Sequence, residues 1–302
     1  MNMNIGIDVG NGYTKYETGC FASKVKNGVM TTIGNRRKGI HQVEYKGKQY
    51  MVGTGGSFTG KNRYFTEEYE MCLLTGIALS LGRKRKTTIT VQNIVVGLPI
   101  DYYKTLATKV ELYINSLGTN EIIVDGVEYT IDIEKATVFI EGAYPIATAD
   151  DSHIITIDVG AGTINVIEWE NQAIVNKFTF DQAFYNVHKQ IAEFLNENYG
   201  TGLTPADAER YVGATVVDTE DGEVEVPELD EIVGNFISEV ATTIGNSFHT
   251  KTCKSIKVFG GGAKDTFKFW QNHFKKAEYV EDAQHVNQRV YQAVAESLEN
   301  ND

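Results

Sequence analysis

One short pattern is written twice in this chain of 302 residues, once near the N-terminus and once at mid-chain. Residues 5–15 read IGIDVGNGYTK, and residues 155–165 read ITIDVGAGTIN. Alternating apolar residues that run into a glycine-rich turn are typical of a β-hairpin whose tip is mostly backbone. The repeat therefore predicts a chain of two halves built alike, each carrying one such hairpin.

Each copy places an aspartate before the turn and glycines within it. The repeated positions are Asp8, Gly10 and Gly12 in the first copy and Asp158, Gly160 and Gly162 in the second. Residues 10–12 also tolerate positive φ, and a turn with little side-chain bulk aims N–H groups at an anion. A carboxylate beside it can hold Mg²⁺, directly or through water. A lone Gly-Asn-Gly hairpin usually just reverses the chain, but two copies predict one nucleotide whose phosphates are clamped from both sides.

The composition excludes several classes of protein. With 42% hydrophobic residues and 4 prolines, the chain can bury a large core. The formal net charge of −12 disfavours direct nucleic-acid binding, since such binding neutralises many phosphates with clustered Lys and Arg. The three cysteines form no Cys-x-x-Cys pattern, so we expect a reducing cytoplasm and no zinc site. No apolar run reaches membrane-spanning length, and no membrane anchor is expected.

The predicted fold class is α/β, with two duplicated lobes and a nucleotide cleft between them, and the superfamily resemblance described below implies that the lobes are RNase H-like. Residues 1–150 form lobe I, which contains an inserted subdomain at about 27–63 and is completed by a C-terminal helix at about 283–302. Residues 151–282 form lobe II, with a small insertion at about 201–227.

Local signals place helices and strands within these lobes. Thr66, Asp101 and Asp181 are predicted to cap helices, and Asp125-Gly126 is predicted to turn a hairpin. Further helices are expected at 228–248, 263–274 and 283–298, and strands at 89–98, 136–140 and 255–259. The last helix is predicted to bury one face, formed by Val286, Val290, Val294 and Leu298.

Four segments of the chain resemble motifs of the actin, Hsp70 and sugar-kinase superfamily and occur in the same order along the chain as in that superfamily. Residues 5–15 and 155–165 are similar to its two phosphate motifs. Residues 258–263, VFGGGA, are similar to its adenosine motif, and residues 138–147, which begin VFIEGA, resemble its connecting motif. The resemblance spans the whole chain and implies ATP, with GTP left open, held with Mg²⁺.

The resemblance also implies roles for individual residues. Glu141 would orient or activate the attacking water, and Asp8 and Asp158 would hold the Mg²⁺ shell through water, so these three form the catalytic set. The implied nucleotide contacts are Gly10, Asn11, Gly12, Tyr13, Lys15, Gly160, Ala161, Gly162, Thr163, Gly260, Gly261, Gly262 and Ala263. For Glu141, the simpler interpretation is a glutamate in a surface loop or at a helix cap.

Within the superfamily, the compact chain is most similar to bacterial actin-like plasmid-segregation ATPases of the ParM/StbA type. The hairpin sequence and residues 96–99, VGLP, carry this likeness. It implies a homopolymer filament that assembles on ATP binding, falls apart after hydrolysis, and reaches DNA through an adaptor of the ParR type. The net negative charge suits such indirect coupling to DNA.

Two alternatives remain at this stage. One is a small-molecule kinase of the same superfamily, either a compact sugar kinase or a type III pantothenate kinase, and the other is a nucleotide-binding scaffold without turnover. For the filament, the acidic hairpin Glu220–Glu225 is a candidate contact for a basic patch at Arg36, Arg37 and Lys38 on the next subunit. Two unrelated solvated charge clusters explain these residues equally well.

Overall fold

The structure is a computed structural model that describes residues 2–30, 38–82, 87–150, 152–181 and 183–299. The chain divides into two compact units, with Met1–Thr148 and His285–Asp302 in unit 1 and Ala149–Gln284 in unit 2. Arg36 and Arg37, named above as a candidate contact, lie outside the described residues. Within the described ranges, no helix is long and apolar enough to cross a membrane.

Unit 1 contains twelve strands among its described residues. They are β1 (Asn2–Gly6), β2 (Asp8–Val9), β3 (Tyr13–Tyr16), β4 (Gly19–Ala22), β5 (Lys24–Asn27), β6 (His41–Tyr45), β7 (Lys48–Val52), β8 (Gly56–Ser57), β9 (Thr87–Leu98), β10 (Thr119–Val124), β11 (Val127–Ile133) and β12 (Ala136–Ile140). Its helices are α1 (Glu67–Ser80), α2 (Ile100–Leu117), α3 (Tyr144–Thr148) and, after unit 2 in the chain, α8 (Val286–Glu299).

Strand β9 is the centre of the unit 1 sheet. Strand β1 pairs with β9 in parallel on one side, and β11 and β12 pair in parallel with its first and second halves on the other. Strands β2, β3 and β4 form an antiparallel meander, and the Ile7 N–H donates to the Val95 carbonyl at 3.0 Å, so β2 continues the line of β1. The first hairpin thus lies at the carboxyl end of a strand beside the sheet centre.

The segment predicted as an insertion continues the sheet of unit 1. Strand β6 pairs with β10, β7 pairs with β6, and β5 pairs with both β7 and β8, all in antiparallel fashion. Residues 41–57 therefore lengthen the sheet that already holds β9, β10 and β11.

Helix α1 is buried on all sides. Thr66 caps it, with its side chain accepting from the Tyr69 N–H at 3.3 Å, as predicted. Every residue from Tyr69 to Ala78 is buried, including Glu70 and Thr75. A helix that is apolar all round belongs in an interior, and α1 forms part of the unit 1 core with Ile5, Ile7 and Phe21.

Unit 2 contains seven strands and four helices among its described residues. They are β13 (Ile154–Val159), β14 (Thr163–Glu170), β15 (Ala173–Asp181), α4 (Ala183–Tyr199), α5 (Pro205–Ala208), β16 (Val216–Thr219), β17 (Gly222–Glu225), α6 (Glu228–Ser247), β18 (Ser255–Phe259), α7 (Ala263–His273) and β19 (Ala277–Tyr279).

The unit 2 sheet repeats the plan of unit 1. Its order is β15-β14-β13-β18-β19, in which the first three strands form an antiparallel meander and the last two pairings are parallel. The same sequence of meander and parallel neighbours runs through β4, β3, β2, β9 and β12 in unit 1. This repeated arrangement confirms the duplicated α/β architecture predicted from the two hairpins. In the segment 201–227, β16 and β17 form a separate two-stranded sheet.

Two local predictions were wrong. Helix α2 begins at Ile100 after Pro99, so Asp101 lies in its first turn and does not cap it. Asp181 ends strand β15, and α4 begins at Ala183. The helical pattern expected from 283 starts as a short 3₁₀ turn at Ala283–His285, and α8 begins at Val286. Strand β19 was not predicted.

The buried face of α8 also differs from the predicted one. The stripe of Val286, Val290, Val294 and Leu298 steps by four residues and drifts around a helix of 3.6 residues per turn. Val286 and Val290 are buried as expected, but the buried line then passes to Tyr291 and Ala295, while Val294 and Leu298 are half-buried.

Candidate nucleotide site

The first repeat folds as the hairpin between β2 and β3. Asp8 lies opposite Lys15 in the strand register, and the Lys15 Nζ lies 2.9 Å from Asp8 Oδ2. The Gly10 N–H donates to the Tyr13 carbonyl at 3.0 Å and closes the turn. Asp8 is thus a buried carboxylate whose charge Lys15 offsets, while Tyr13 is 37% exposed at the turn.

Gly10 is needed for a reason other than the one expected. Its φ is not in the positive range. A Cβ at this position would lie 2.9 Å from the Tyr13 carbonyl oxygen and 2.8 Å from the Lys15 Nζ. The glycine therefore permits a close approach within the turn, and its tolerance of positive φ is not used.

The second repeat is built in the same way in unit 2. The Gly160 N–H donates to the Thr163 carbonyl at 2.9 Å, and a Cβ on Gly160 would lie 2.9 Å from that oxygen. Asp158 is buried and lies opposite Asn165, whose Nδ2 donates to the Thr163 Oγ1 at 3.5 Å. Ala161 is half-buried at the tip. The two hairpins thus share turn geometry and a buried aspartate, beyond their shared sequence.

The glycine turn after β18 lies against the second hairpin. Asp158 pairs with Phe259 in the parallel register, and the Gly262 N–H donates to the Val159 carbonyl at 2.9 Å. Gly260 has a φ of +97°, and a Cβ there would lie 2.6 Å from Asp158 Oδ1. Two motifs a hundred residues apart in the sequence therefore meet in unit 2, and only glycine fits between them.

The remaining residues of this turn have different surroundings. A Cβ on Gly261 would meet nothing within 4 Å, so its backbone is open to a ligand. Ala263 is fully buried at the start of α7, and its N–H donates to the Gly260 carbonyl at 3.1 Å. The side chain of Ala263 thus packs on the core side of the turn.

Glu141 follows strand β12 in a tight turn of unit 1. Its N–H donates to the Leu98 carbonyl at 2.9 Å, and the residue is 8% exposed. Gly142 has a φ of +85°, and its N–H donates to Asn287 Oδ1 at 3.0 Å. Glu141 is therefore a buried carboxylate held by backbone on both sides. This burial disagrees with the simpler interpretation of a glutamate in a surface loop.

Helix α8 holds the backbone of the motif strands through buried amide side chains. The Gly6 N–H donates to Gln292 Oε1 at 2.9 Å, and Gln288 Nε2 donates to the Gly6 carbonyl at 3.1 Å. A Cβ on Gly6 would lie 2.2 Å from the Gln292 nitrogen, so the helix backbone lies directly on β1. A Cβ on Gly97 would likewise strike the ring of Tyr291. Through Asn287 and these glutamines, α8 fixes both the first hairpin strand and the Glu141 turn.

Sequence reasoning missed these amides and also Arg63, which is buried and donates from Nη2 to the Val9 carbonyl of the first hairpin. An available signal for the amides was their position on the buried stripe of an otherwise amphipathic helix, where a polar side chain needs a partner. Arg63 carries no comparable signal, because a lone arginine before a helix cap is usually solvated.

Each unit, taken by itself, has one carboxylate suited to help hold Mg²⁺ through water. Asp8 in unit 1 and Asp158 in unit 2 supply carboxylate oxygens, which are the ligands Mg²⁺ prefers, each beside a turn of backbone N–H groups. Over the described residues, no group of three or more His, Cys, Asp or Glu side chains is arranged to hold a metal directly.

Comparisons with known proteins agree with this geometry. Residues 6–143 match the family model for the N-terminal domain of actin-like proteins. No curated protein sequence matches the chain.

Many solved structures share its fold. A ParM protein from a 15-stranded filament of Clostridium botulinum is 17% identical, with 98% of this chain and 100% of that one covered and a TM-score of 0.80. The archaeal actin homologue Ta0583 in complex with ADP is 16% identical, with 98% and 100% covered and a TM-score of 0.78. The Alp12 filament protein is 16% identical, with 99% and 98% covered and a TM-score of 0.67. These likenesses establish the fold and confirm the resemblance to actin-like proteins found in the sequence.

Proposed function

We propose that this chain, which has the actin-like fold, is an ATPase that assembles into filaments on ATP binding and disassembles after hydrolysis. The observation that carries the proposal is the duplicated hairpin, since each unit presents a closed glycine turn directly after a buried aspartate. The known structures that share the fold include filaments and an ADP complex of other proteins.

In this proposal each hairpin offers backbone N–H groups to nucleotide phosphates. Gly10 to Tyr13 serve in unit 1 and Gly160 to Thr163 in unit 2, while the turn at Gly260–Gly262 lets the adenosine lie close to the backbone. When bound, Mg²⁺ would neutralise phosphate charge and polarise the terminal phosphoryl group. Asp8 and Asp158 would hold its water shell, and Lys15 would shift part of its interaction from Asp8 to the phosphates.

Glu141 is the proposed hydrolytic residue. Hydrolysis of a nucleoside triphosphate requires little covalent chemistry from the protein. It depends on a water molecule aligned with the terminal phosphate and on stabilisation of the charge that develops in the transition state. The Glu141 carboxylate would accept a hydrogen bond from that water and orient it in line with the terminal phosphate. It would take the water's proton as the water oxygen bonds to the γ-phosphorus and the bond from that phosphorus to the β–γ bridging oxygen breaks, which releases ADP and phosphate. Its burial and its backbone contacts to Leu98 and, through Gly142, to Asn287 suit a group that must hold one position.

The cellular role we propose is plasmid segregation in the cytoplasm, through a DNA-bound adaptor of the ParR type. The net charge of −12 supports an indirect link to DNA, because the chain lacks the excess of cations that direct phosphate binding needs. Self-assembly and the adaptor would then be its principal interactions.

The test is light scattering with simultaneous phosphate release after Mg²⁺-ATP is added to micromolar protein. We expect wild-type scattering to rise and then decay as phosphate appears, and Glu141→Ala to form lasting polymer with little release. Glu134→Ala is the matched control, since Glu134 is an exposed glutamate that precedes β12, at the opposite end of the strand from Glu141. Flat scattering at every concentration would contradict the filament proposal, and phosphate release that survives Glu141→Ala would contradict the role of Glu141.

A further inference from the structure

Arg63 is a buried cation beneath the first hairpin. It begins a short 3₁₀ turn, Arg63–Phe65, directly before the α1 cap, and it is 2% exposed. Three aromatic rings surround its guanidinium, with centroids 4.7 Å (Tyr64), 5.9 Å (Tyr69) and 5.9 Å (Phe58) away. The charge is therefore removed from water and stabilised mainly by π faces.

Most of the donors on this guanidinium are unused. Nη2 donates to the carbonyl of Val9, the residue between Asp8 and the turn glycine. Nε and Nη1 are buried and have no hydrogen-bond partner among the described residues. In the same ranges, no carboxylate lies within ion-pair distance, 4.0 Å, of Arg63. A buried charge without a paired anion is costly, and proteins retain one where an anion arrives from elsewhere.

The carboxylates of the proposed site lie within electrostatic range of Arg63. Burial by itself opposes the charge on Arg63, but the neighbouring Tyr64, Tyr69 and Glu141 more than offset it and raise the pKa of Arg63. Burial raises the pKa of Tyr64 to about 12, with Arg63 opposing that rise and the charges of Glu141 and Asp8 adding to it. Arg63, Asp8 and Glu141 thus share one buried electrostatic environment.

We propose that Arg63 is a positioning residue that makes the first hairpin selective for a nucleoside triphosphate over the diphosphate. This inference rests on the function proposed above. A terminal phosphate placed beside Glu141 adds negative charge where two carboxylates are already buried. The guanidinium offsets that charge from beneath the hairpin, and its bond to the Val9 carbonyl holds the turn so that the N–H groups point outward. A nucleoside diphosphate has no terminal phosphate beside Glu141 whose charge Arg63 could offset. Arg63 should therefore strengthen the binding of the diphosphate less than that of the triphosphate.

The test compares Arg63→Met and Arg63→Lys with wild type in equilibrium titrations of ATP and ADP, each with Mg²⁺. Protein is kept below the concentration at which it scatters light, so assembly does not contribute. Methionine is an unbranched apolar side chain that fills much of the arginine volume without charge, and it removes the cost of burying an unpaired charge. Arg210→Met is the matched control, since Arg210 is exposed and stacks on Tyr211 with a centroid distance of 4.7 Å.

We expect Arg63→Met to weaken ATP binding about tenfold more than ADP binding, with an unchanged or higher Tm in the absence of nucleotide. Arg63→Lys keeps the charge and should keep the ratio of ATP to ADP affinity close to that of wild type. Arg210→Met should leave both affinities unchanged.

Equal losses of ATP and ADP affinity in Arg63→Met would overturn this inference and leave the proposed function standing. The same holds if Arg63→Lys does not keep the wild-type ratio of ATP affinity to ADP affinity. Wild-type protein that binds neither nucleotide would overturn both. If Arg63→Met does not fold, Arg63→Gln, which also removes the charge, replaces it in the comparison with Arg63→Lys.

Discussion

Asn287 illustrates how a single buried side chain sets the geometry of this site. Its Oδ1 accepts the Gly142 N–H at 3.0 Å, directly after Glu141, and both partners are buried. Replacing Asn287 with leucine leaves that N–H without an acceptor in the interior, which costs about 1–3 kcal/mol of stability.

We therefore expect Asn287→Leu to lower the rate of ATP hydrolysis about tenfold or more while ATP affinity changes much less, because the turn holding Glu141 loses one anchor. Asn287→Asp keeps an acceptor oxygen and should recover part of the rate. Asn198→Leu is the control, since Asn198 is exposed and bonds only locally, to the Phe194 carbonyl at 2.8 Å. Equal losses of hydrolysis and affinity would show that Asn287 only supports the fold.

The glycines of the turns provide a second prediction about single residues. A Cβ on Gly160 would lie 2.9 Å from a backbone oxygen that cannot move aside, whereas a Cβ on Gly261 would meet nothing within 4 Å. Gly160→Ala should destabilise the protein by about 1–3 kcal/mol and weaken nucleotide binding, and Gly261→Ala should leave stability within about 0.5 kcal/mol. Thermal unfolding with and without nucleotide checks both. A Gly160→Ala protein as stable as wild type would contradict the close approach.

The cysteines should differ in reactivity. Burial raises the pKa of Cys72 to about 12, and burial likewise raises the pKa of Cys253, so both remain thiols at neutral pH. Cys20 is half-buried. Alkylation of the folded protein at pH 8, followed by mass spectrometry, should label Cys20 first, and denaturation should make all three equal. Fast labelling of Cys72 in the folded protein would contradict the buried helix α1.

At the scale of elements, the sequence predicted what depends on local pattern. The two hairpins, the Thr66 cap and the Asp125-Gly126 turn were correct, because each is set by a few neighbouring residues. In the sequence, α1 has an apolar stripe at helical spacing, formed by Tyr69, Leu73 and Ile77. The burial of the whole helix, however, depends on strands from distant parts of the chain. The buried face of α8 was missed for the same reason, since its glutamines are stable inside only because β1 offers backbone groups to them.

The start of helix α1 provides a test of pH dependence. Its Glu67 accepts a hydrogen bond from the Tyr50 hydroxyl at 2.5 Å and lies 3.2 Å from Lys48 Nζ, which links the helix to the β6–β7 hairpin. The Tyr50 bond and then Lys48 hold the pKa of Glu67 below its usual range, although burial opposes this. A lowered folded pKa stabilises the protein above the unfolded pKa of about 4.3, and this stabilisation is lost as the pH falls through the folded value.

Glu67→Gln should therefore lower the Tm at pH 7, and the difference from wild type should shrink as the pH falls to about 3. Glu68→Gln is the control, because it removes a charge from the same first turn of α1, where helix-dipole effects act. A difference for Glu67→Gln that stays constant between these pH values would contradict the ionised link.

At the scale of the whole molecule, the order of motifs predicted the fold class, because a repeated hairpin implies a repeated unit. The roles of Asp8, Asp158 and Glu141 remain predictions, but the structure buries all three in the turns where the motifs placed them. Arg63 could not be found from sequence, and the α8 amides left only the signal of polar residues on a buried stripe, since all of them act through contacts with residues far away in the chain. Surfaces for assembly are still harder to predict from the sequence. Exposed charges such as those of the β16–β17 hairpin show no pattern that distinguishes a subunit contact from a solvated face.

The central claim is that the bound nucleotide controls assembly. The most direct measurement is negative-stain electron microscopy of the same protein sample with Mg²⁺-ATP, with a non-hydrolysable ATP analogue, and with Mg²⁺-ADP. The account predicts filaments that are transient with ATP, lasting with the analogue and absent with ADP. Filaments of equal number in all three conditions, or none with the analogue at any protein concentration, would contradict it.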